Sequence, residues 1–92
     1  MTKNLERHIN KFLRAYLDTN EEFEYLDDTE KLHIYSILRK LLSLIHQVIK
    51  YRNVYPILVV HNYKSKQIIS KAFAEIEHVL PTINNIKIEV AN

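Results

Sequence analysis

The acidic and basic residues of this chain occupy separate segments. Seven of its eleven Asp and Glu residues lie between positions 18 and 30, whereas positions 31–74 contain eight Lys or Arg residues, three histidines and no acid. The formal net charge of +2 conceals this division. Charges separated in this way are typical of proteins that bind a polyanion or an oppositely charged protein surface, so the sequence points first to electrostatic recognition.

The acids between positions 21 and 28 predict a protein interface. Clustered carboxylates steer the association of a basic partner and can imitate the phosphates of a nucleic acid. Asp27 and Glu30 have the spacing of a helix capping box, and acids here favour the positive end of the helix dipole, which explains Asp27, Asp28 and Glu30 structurally. The three glutamates before them have no such explanation. We therefore expect a small non-catalytic binding protein, an inhibitor or a regulatory, immunity-type module, whose interface comprises Glu21, Glu22, Glu24, Asp27 and Asp28.

The acid-free stretch of residues 31–74 supports a nucleic-acid-binding alternative. Lys and Arg side chains neutralise phosphates, and aromatic rings placed among them stack on bases. Tyr51, Tyr55 and Tyr63 lie among the cations of this stretch. No helix-turn-helix, RNA-recognition or zinc-finger motif accompanies them, so this alternative ranks second. The residues that would contact the nucleic acid are Arg39, His46, Lys50, Arg52, Lys64 and Lys66.

Two histidines are candidates for catalysis. His61 follows a predicted strand, but no acid nearby in the sequence would orient it as a general base. Arg39 and His46 are seven residues apart on one predicted helix, and this pair resembles the Arg-x(4–6)-His signature of the HEPN ribonuclease family, which is all-helical and dimeric. Lys40 stands where that family commonly has a polar amide or a histidine. We predict that the chain is not an enzyme, with a small nuclease-like enzyme as the lesser alternative.

Missing residue types exclude several kinds of site. The chain has no cysteine, which removes disulfides, thiolate catalysis and Cys-ligated zinc. It has no glycine, which the phosphate-binding loops of nucleotide folds need for tight turns and close backbone approach. The five histidines lack the spacing of a helical metal site. We therefore predict no metal and no cofactor, and we expect asparagine at any turn that needs a positive φ.

The first half of the chain predicts two helices. Apolar residues recur at helical spacing over residues 3–17 and again over residues 29–50, and the second helix is long enough to organise the core. Phe23 and Tyr25, between the two helices, are expected to pack on that core. The outer face of the first helix carries a row of cations, expected to be an ordinary solvated surface: Lys3, Arg7, Lys11 and Arg14.

The second half predicts a strand, a helix and a strand. A continuous apolar run over residues 54–60 indicates a buried strand, and alternation over residues 86–90 indicates a half-buried one. The helix between them, capped by Ser65 and ended by Pro81, favours a parallel crossover. The predicted fold is α+β, with two N-terminal helices followed by a strand–helix–strand unit (α-α-β-α-β) in a single domain over residues 1–92.

Two families of protein inhibitors resemble parts of this chain. The second half is similar to the barstar family of ribonuclease inhibitors in a strand, a helix start and a final strand: Tyr55-Pro56-Ile57-Leu58-Val59-Val60, Ser65-Lys66-Gln67 and Ile86-x-Ile88. The order of helix, acidic stretch, helix and Tyr-Pro strand over about the first sixty residues resembles the protein inhibitors of uracil-DNA glycosylase. Either resemblance implies that the acids of positions 21–28 imitate phosphates. The N-terminal strand and the acidic helix of the barstar family have no counterpart here.

The expected surroundings of the protein follow from its hydropathy. The sequence has no apolar run of the roughly 18 residues that a membrane span needs, and no signal-peptide core. Together with the absence of cysteine, this predicts a cytoplasmic protein that does not contact a membrane.

A two-stranded sheet is thin for a stable domain, so we expect a homodimer in which the C-terminal strand pairs with its copy.

Overall fold

Within residues 3–91, which the computed structural model describes, the chain folds into helices around a two-stranded parallel sheet. The predicted α+β class is confirmed, as is the order of two N-terminal helices followed by a strand–helix–strand unit. A four-residue helix and a 3-10 helix occur in addition. The elements are α1 (Lys3–Asp18), α2 (Glu21–Glu24), α3 (Asp28–Tyr51), β1 (Ile57–Val60), α4 (Tyr63–Val79), the 3-10 helix (Pro81–Asn85) and β2 (Lys87–Val90).

The long helix α3 organises the core, as its apolar pattern predicted. Its first turn is closed by the predicted capping box: Asp27 Oδ1 accepts from the Glu30 N–H at 2.8 Å, and Glu30 Oε1 accepts from the Asp27 N–H at 3.5 Å. α1 packs against both α3 and α4 through Ile9, Leu13 and Leu17. The buried side chains of α3 are Ile34, Ile37, Leu38, Leu41, Leu42, Ile45 and Val48.

A strained turn ends α3. Arg52 has φ 54° and ψ −42°, and the Asn53 N–H donates to the Tyr51 carbonyl at 2.5 Å, which closes a γ-turn over three residues. The prediction that asparagine would take a positive φ was wrong for this turn, because the position that must leave the helix is Arg52 and Asn53 comes one residue later. An asparagine does support the turn from outside: Asn85 Nδ2 donates to the carbonyls of Arg52 at 3.1 Å and Val54 at 3.3 Å.

Replacing Arg52 with glycine should raise the free energy of unfolding by about 1 kcal/mol, because glycine has no Cβ to oppose a positive φ. Urea unfolding measures the change. The matched control is Asn53→Gly: Arg52 is the one positive-φ position in the described part of the chain, so glycine at position 53 should lower stability by roughly 0.5 kcal/mol. Equal losses in both variants would show that the Arg52 backbone is not strained.

The sheet is shorter and more exposed than the sequence indicated. β1 and β2 are parallel, as predicted, with Leu58 opposite Ile88 and Val60 opposite Val90. The prediction of a continuous buried strand over residues 54–60 was wrong, since only four residues form β1 and burial alternates along it. Helices cover one face of the sheet, so Leu58 and Val60 are buried while Ile57 and Val59 are exposed. β2 is half-buried, as its alternation predicted.

The helix α4 begins earlier than predicted. Asn62, not Ser65, is its N-cap: Asn62 Oδ1 accepts from the Ser65 N–H at 2.8 Å, which leaves Ser65 inside the first turn and buried. The amide oxygen of Asn62 reaches the third N–H of the helix, so the N-cap lies three residues before the expected Ser65. Pro81 ends the helix as predicted, and it also starts the 3-10 helix that leads into β2.

Candidate functional site

The acidic segment, residues 18–30, is built on the short helix α2. Asn20 caps this helix, its Oδ1 accepting from the Phe23 N–H at 2.9 Å. Phe23 and Leu26 are buried and attach the segment to the core. The ring of Phe23 meets the ring of Tyr35 edge to face, with centroids 5.4 Å apart. Packing therefore holds the segment in place, and its charges are free to point outward.

Most of the predicted interface acids face the solvent. Glu21, Glu24, Asp27 and Asp28 are exposed and Glu22 is half-buried. Asp27 has the structural role that its spacing predicted, because its carboxylate caps α3. The other exposed carboxylates of the set have no ion-pair partner within residues 3–91. Negative charge is consequently displayed along α2 and the start of α3.

One acid of the segment is paired inside the molecule. Lys71 of α4 donates to Glu22 Oε1 at 2.8 Å, and this is the one salt bridge in the described part of the chain. The hydrogen bond to Glu22, followed by the attraction of its charge, raises the pKa of Lys71 above its ordinary value. Both side chains are substantially solvent-exposed, so we attribute orientation of α2 against α4 to this contact, and little stability. Among the described residues, the acid-free stretch of residues 31–74 therefore neutralises the acidic segment only at Glu22.

Tyr25 departs most clearly from expectation. The sequence predicted that Phe23 and Tyr25 would both pack on the core, which is correct for Phe23 and wrong for Tyr25, whose exposed fraction is 87%. The physical reason is the rotation of the helix. Tyr25, the C-cap of α2, follows Phe23 by two residues, which places the two side chains about 200° apart around the helix axis, so the rings point in opposite directions. A large aromatic side chain therefore stands in the solvent among carboxylates.

The residues of the nucleic-acid alternative lie in separate places. Arg39 lines a groove between α1 and α3, whereas Lys64 lines a cleft beside His33, and Arg52 lies at the far end of α3. His33 precedes Arg52 by 19 residues, which is about 28 Å along a helix. These cations therefore do not converge on one point.

The remaining members of that set contribute little to a common surface. Lys50 lies over the ring of its neighbour Tyr51, with Nζ 5.3 Å from the centroid. His46 and Lys66 are half-buried.

The cleft at the carboxyl end of β1 contains a pair of histidines that no sequence pattern indicates. The imidazoles of His33 and His61 lie with centroids 4.6 Å apart in a cleft of about 400 Å³, next to Lys64 and the start of α4. His33 Nε2 is buried and has no hydrogen-bond partner among residues 3–91. Glu30 also lines this cleft, but among those residues neither imidazole forms a hydrogen bond with a carboxylate. The separation of 28 positions hides this contact from any local pattern.

Residues 3–91 bring together no group of three His, Asp or Glu side chains that could hold a metal ion. Across the same range, no helix combines the length and the apolar character that crossing a membrane requires.

No family model, curated protein or solved structure matches this chain.

Proposed function

We propose that this chain is a non-catalytic cytoplasmic binding protein that inhibits or regulates a basic protein partner through its acidic segment. The observation that carries the proposal is the 87% exposure of Tyr25 beside glutamates that also face the solvent. Tyrosine is among the residues that contribute most to binding energy at protein interfaces. Burial of its ring against a partner would supply the apolar contact that charges alone lack.

The surroundings of Tyr25 suit such a contact. Glu21 and Glu24 lie within the adjoining turn, where they would steer a positively charged surface toward the tyrosine. The segment is fixed beforehand by the burial of Phe23 and by the Asn20 cap, so little conformational entropy is lost on binding. The rigid backbone, the exposed ring and the flanking charges together resemble the centre and the rim of an interface.

Affinity capture from a lysate of the cells that make the protein tests this proposal. The immobilised parent chain is compared with Glu21→Gln/Glu24→Gln and with a control of equal charge change, Glu75→Gln/Glu77→Gln on α4. We expect at least one basic protein to be retained by the parent and the control but lost, about tenfold or more, from the first variant. The captured protein, once purified, must then bind the three chains in calorimetry with the same order of affinities. Identical capture by all three chains would contradict the proposal.

The homodimer expected from the sequence has support in the charges of β2. The amides of Lys87 and Ala91 donate to β1, so those of Ile88 and Val90 point toward the open edge. If two copies pair antiparallel about Ile88, Lys87 of each copy lies opposite Glu89 of the other, which places opposite charges together twice. We propose this pairing as the dimer.

A charge swap tests the dimer without disturbing the core, because Lys87 and Glu89 are exposed. Lys87→Glu should weaken dimerisation about tenfold, since it places like charges opposite each other at two symmetric points. The double variant Lys87→Glu/Glu89→Lys should restore the parent affinity. Sedimentation equilibrium gives the three dissociation constants. A parent chain that stays monomeric at all concentrations would overturn the pairing.

Two alternatives are less well supported. The nucleic-acid site composed of Arg39, His46, Lys50, Arg52, Lys64 and Lys66 is divided over surfaces at both ends of α3. A nuclease-like activity through His46 or His61 has no oriented base among the described residues. Both stay predictions, and the second would require turnover that His61→Ala abolishes.

A further inference from the structure

The groove between α1 and α3 concentrates positive charge from two elements that are distant in sequence. The basic groove, as we call it, has a volume of about 440 Å³. Its cations are Lys3, Arg7 and Arg14 from the outer row of α1 and Arg39 from α3, accompanied by Glu6 and Asn10. From the sequence, the α1 row is expected to be ordinary solvated surface, and Arg39 belongs to a different candidate site.

The charge of the basic groove is not neutralised internally. Four cations face one carboxylate, that of Glu6. The single salt bridge found in residues 3–91 joins Glu22 to Lys71, so none of the four groove cations has an ion-pair partner there. Walls of one charge sign focus the electrostatic field and attract an anion to the space between them.

Arg14 is held ready for such an anion. Its guanidinium lies over the ring of Tyr35 at 4.7 Å, and its Nε donates to Asn10 Oδ1 at 3.3 Å. These two contacts fix the plane of the guanidinium while its terminal N–H groups keep the fork that matches a phosphate. A side chain that is already ordered loses less entropy when it binds.

The arrangement fits a row of phosphates better than a single one. Lys3 and Arg7 are one turn apart, and Arg14 follows two turns later, which spreads the cations over about 16 Å of α1. Arg39 lies across the groove from this row. A concave, elongated cationic surface accepts a strand along its length, whereas a flat bilayer could not enter it. We propose that the basic groove binds the phosphate backbone of a nucleic acid.

The test is fluorescence anisotropy with an oligothymidylate and a duplex of about 20 nucleotides over a salt series from about 50 to 200 mM. The parent should bind with an affinity that falls steeply as salt rises. Arg7→Gln/Arg39→Gln should lower the slope of log K against log salt by about 1.4 to 1.8, which corresponds to two lost phosphate contacts. Arg7 and Arg39 are exposed, so the fold should be retained, and circular dichroism confirms it.

The control Lys64→Gln/Lys66→Gln removes the same charge from the other candidate surface. It should leave the slope within about 0.3 of the parent value. The inference is overturned if the parent does not bind either oligonucleotide, if the two double variants lose the same amount, or if the parent binds only anionic lipid vesicles. Glu21→Gln/Glu24→Gln should not weaken oligonucleotide binding, so this result is independent of the proposed protein interface.

Discussion

Replacing Tyr25 with serine should weaken binding to the protein partner by about 30-fold or more and leave the fold intact. Interface tyrosines of this kind contribute about 2 kcal/mol or more, which is a factor of roughly 30 in the dissociation constant. The side chain is 87% exposed in the free protein, so its loss should change the free energy of unfolding by less than about 0.5 kcal/mol. Calorimetric titration and urea unfolding of the same variant measure the two quantities.

Tyr63→Ser is the matched control for this prediction. Tyr63 is also largely exposed, at 73%, but it lies at the start of α4 and outside the acidic segment. Its replacement should alter neither affinity nor stability. If both tyrosine variants lose affinity equally, or if neither does, Tyr25 is not the centre of the interface.

Replacing Phe23 with alanine should instead destabilise the fold, at a cost of about 3 to 5 kcal/mol of unfolding free energy. The ring is 3% exposed and packs edge to face on Tyr35, and Lys31 Nζ lies 5.7 Å from its centroid. A cavity at this point would loosen the attachment of α2 to the core. For a domain of this size such a loss is a large part of the total stability.

Phe12→Ala on α1 gives the comparison, since that ring is 43% exposed and should cost about 1 kcal/mol or less. Urea unfolding curves of the two alanine variants provide the values. A Phe23 variant as stable as the Phe12 variant would show that α2 is not anchored through this ring. The contrast between Phe23 and Tyr25, two residues apart, would then lose its structural basis.

The helical part of the fold could be predicted because its signals are local. The bounds of α1 and α3 agree with the apolar spacing to within one residue, and the Asp27–Glu30 capping box was visible in the sequence. The β1 strand was overestimated because a run of β-branched residues does not show how many faces of a sheet are covered. The turn at Arg52 was missed because the position of a helix end depends on packing as well as on residue type.

The candidate sites depend on contacts between distant residues, and here the sequence gives less information. The acidic segment was recognisable from composition. The exposure of Tyr25, however, depends on the helical rotation of about 200° that separates it from the buried Phe23, two residues before. The basic groove requires α1 to pack beside Arg39, 25 positions after Arg14. The row of cations on α1 was visible as a signal, and only the helix packing shows that it forms one wall of a groove.

Site-specific photo-crosslinking at position 25 tests the proposed protein interface most directly. Tyr25→p-benzoylphenylalanine is expressed in the cells that make the protein, beside Tyr63→p-benzoylphenylalanine as the exposed control. The acidic-segment proposal predicts a discrete adduct with a basic protein from position 25, absent from position 63 and lost when Glu21→Gln/Glu24→Gln is added. No adduct from position 25, or the same adducts from both positions, would contradict it.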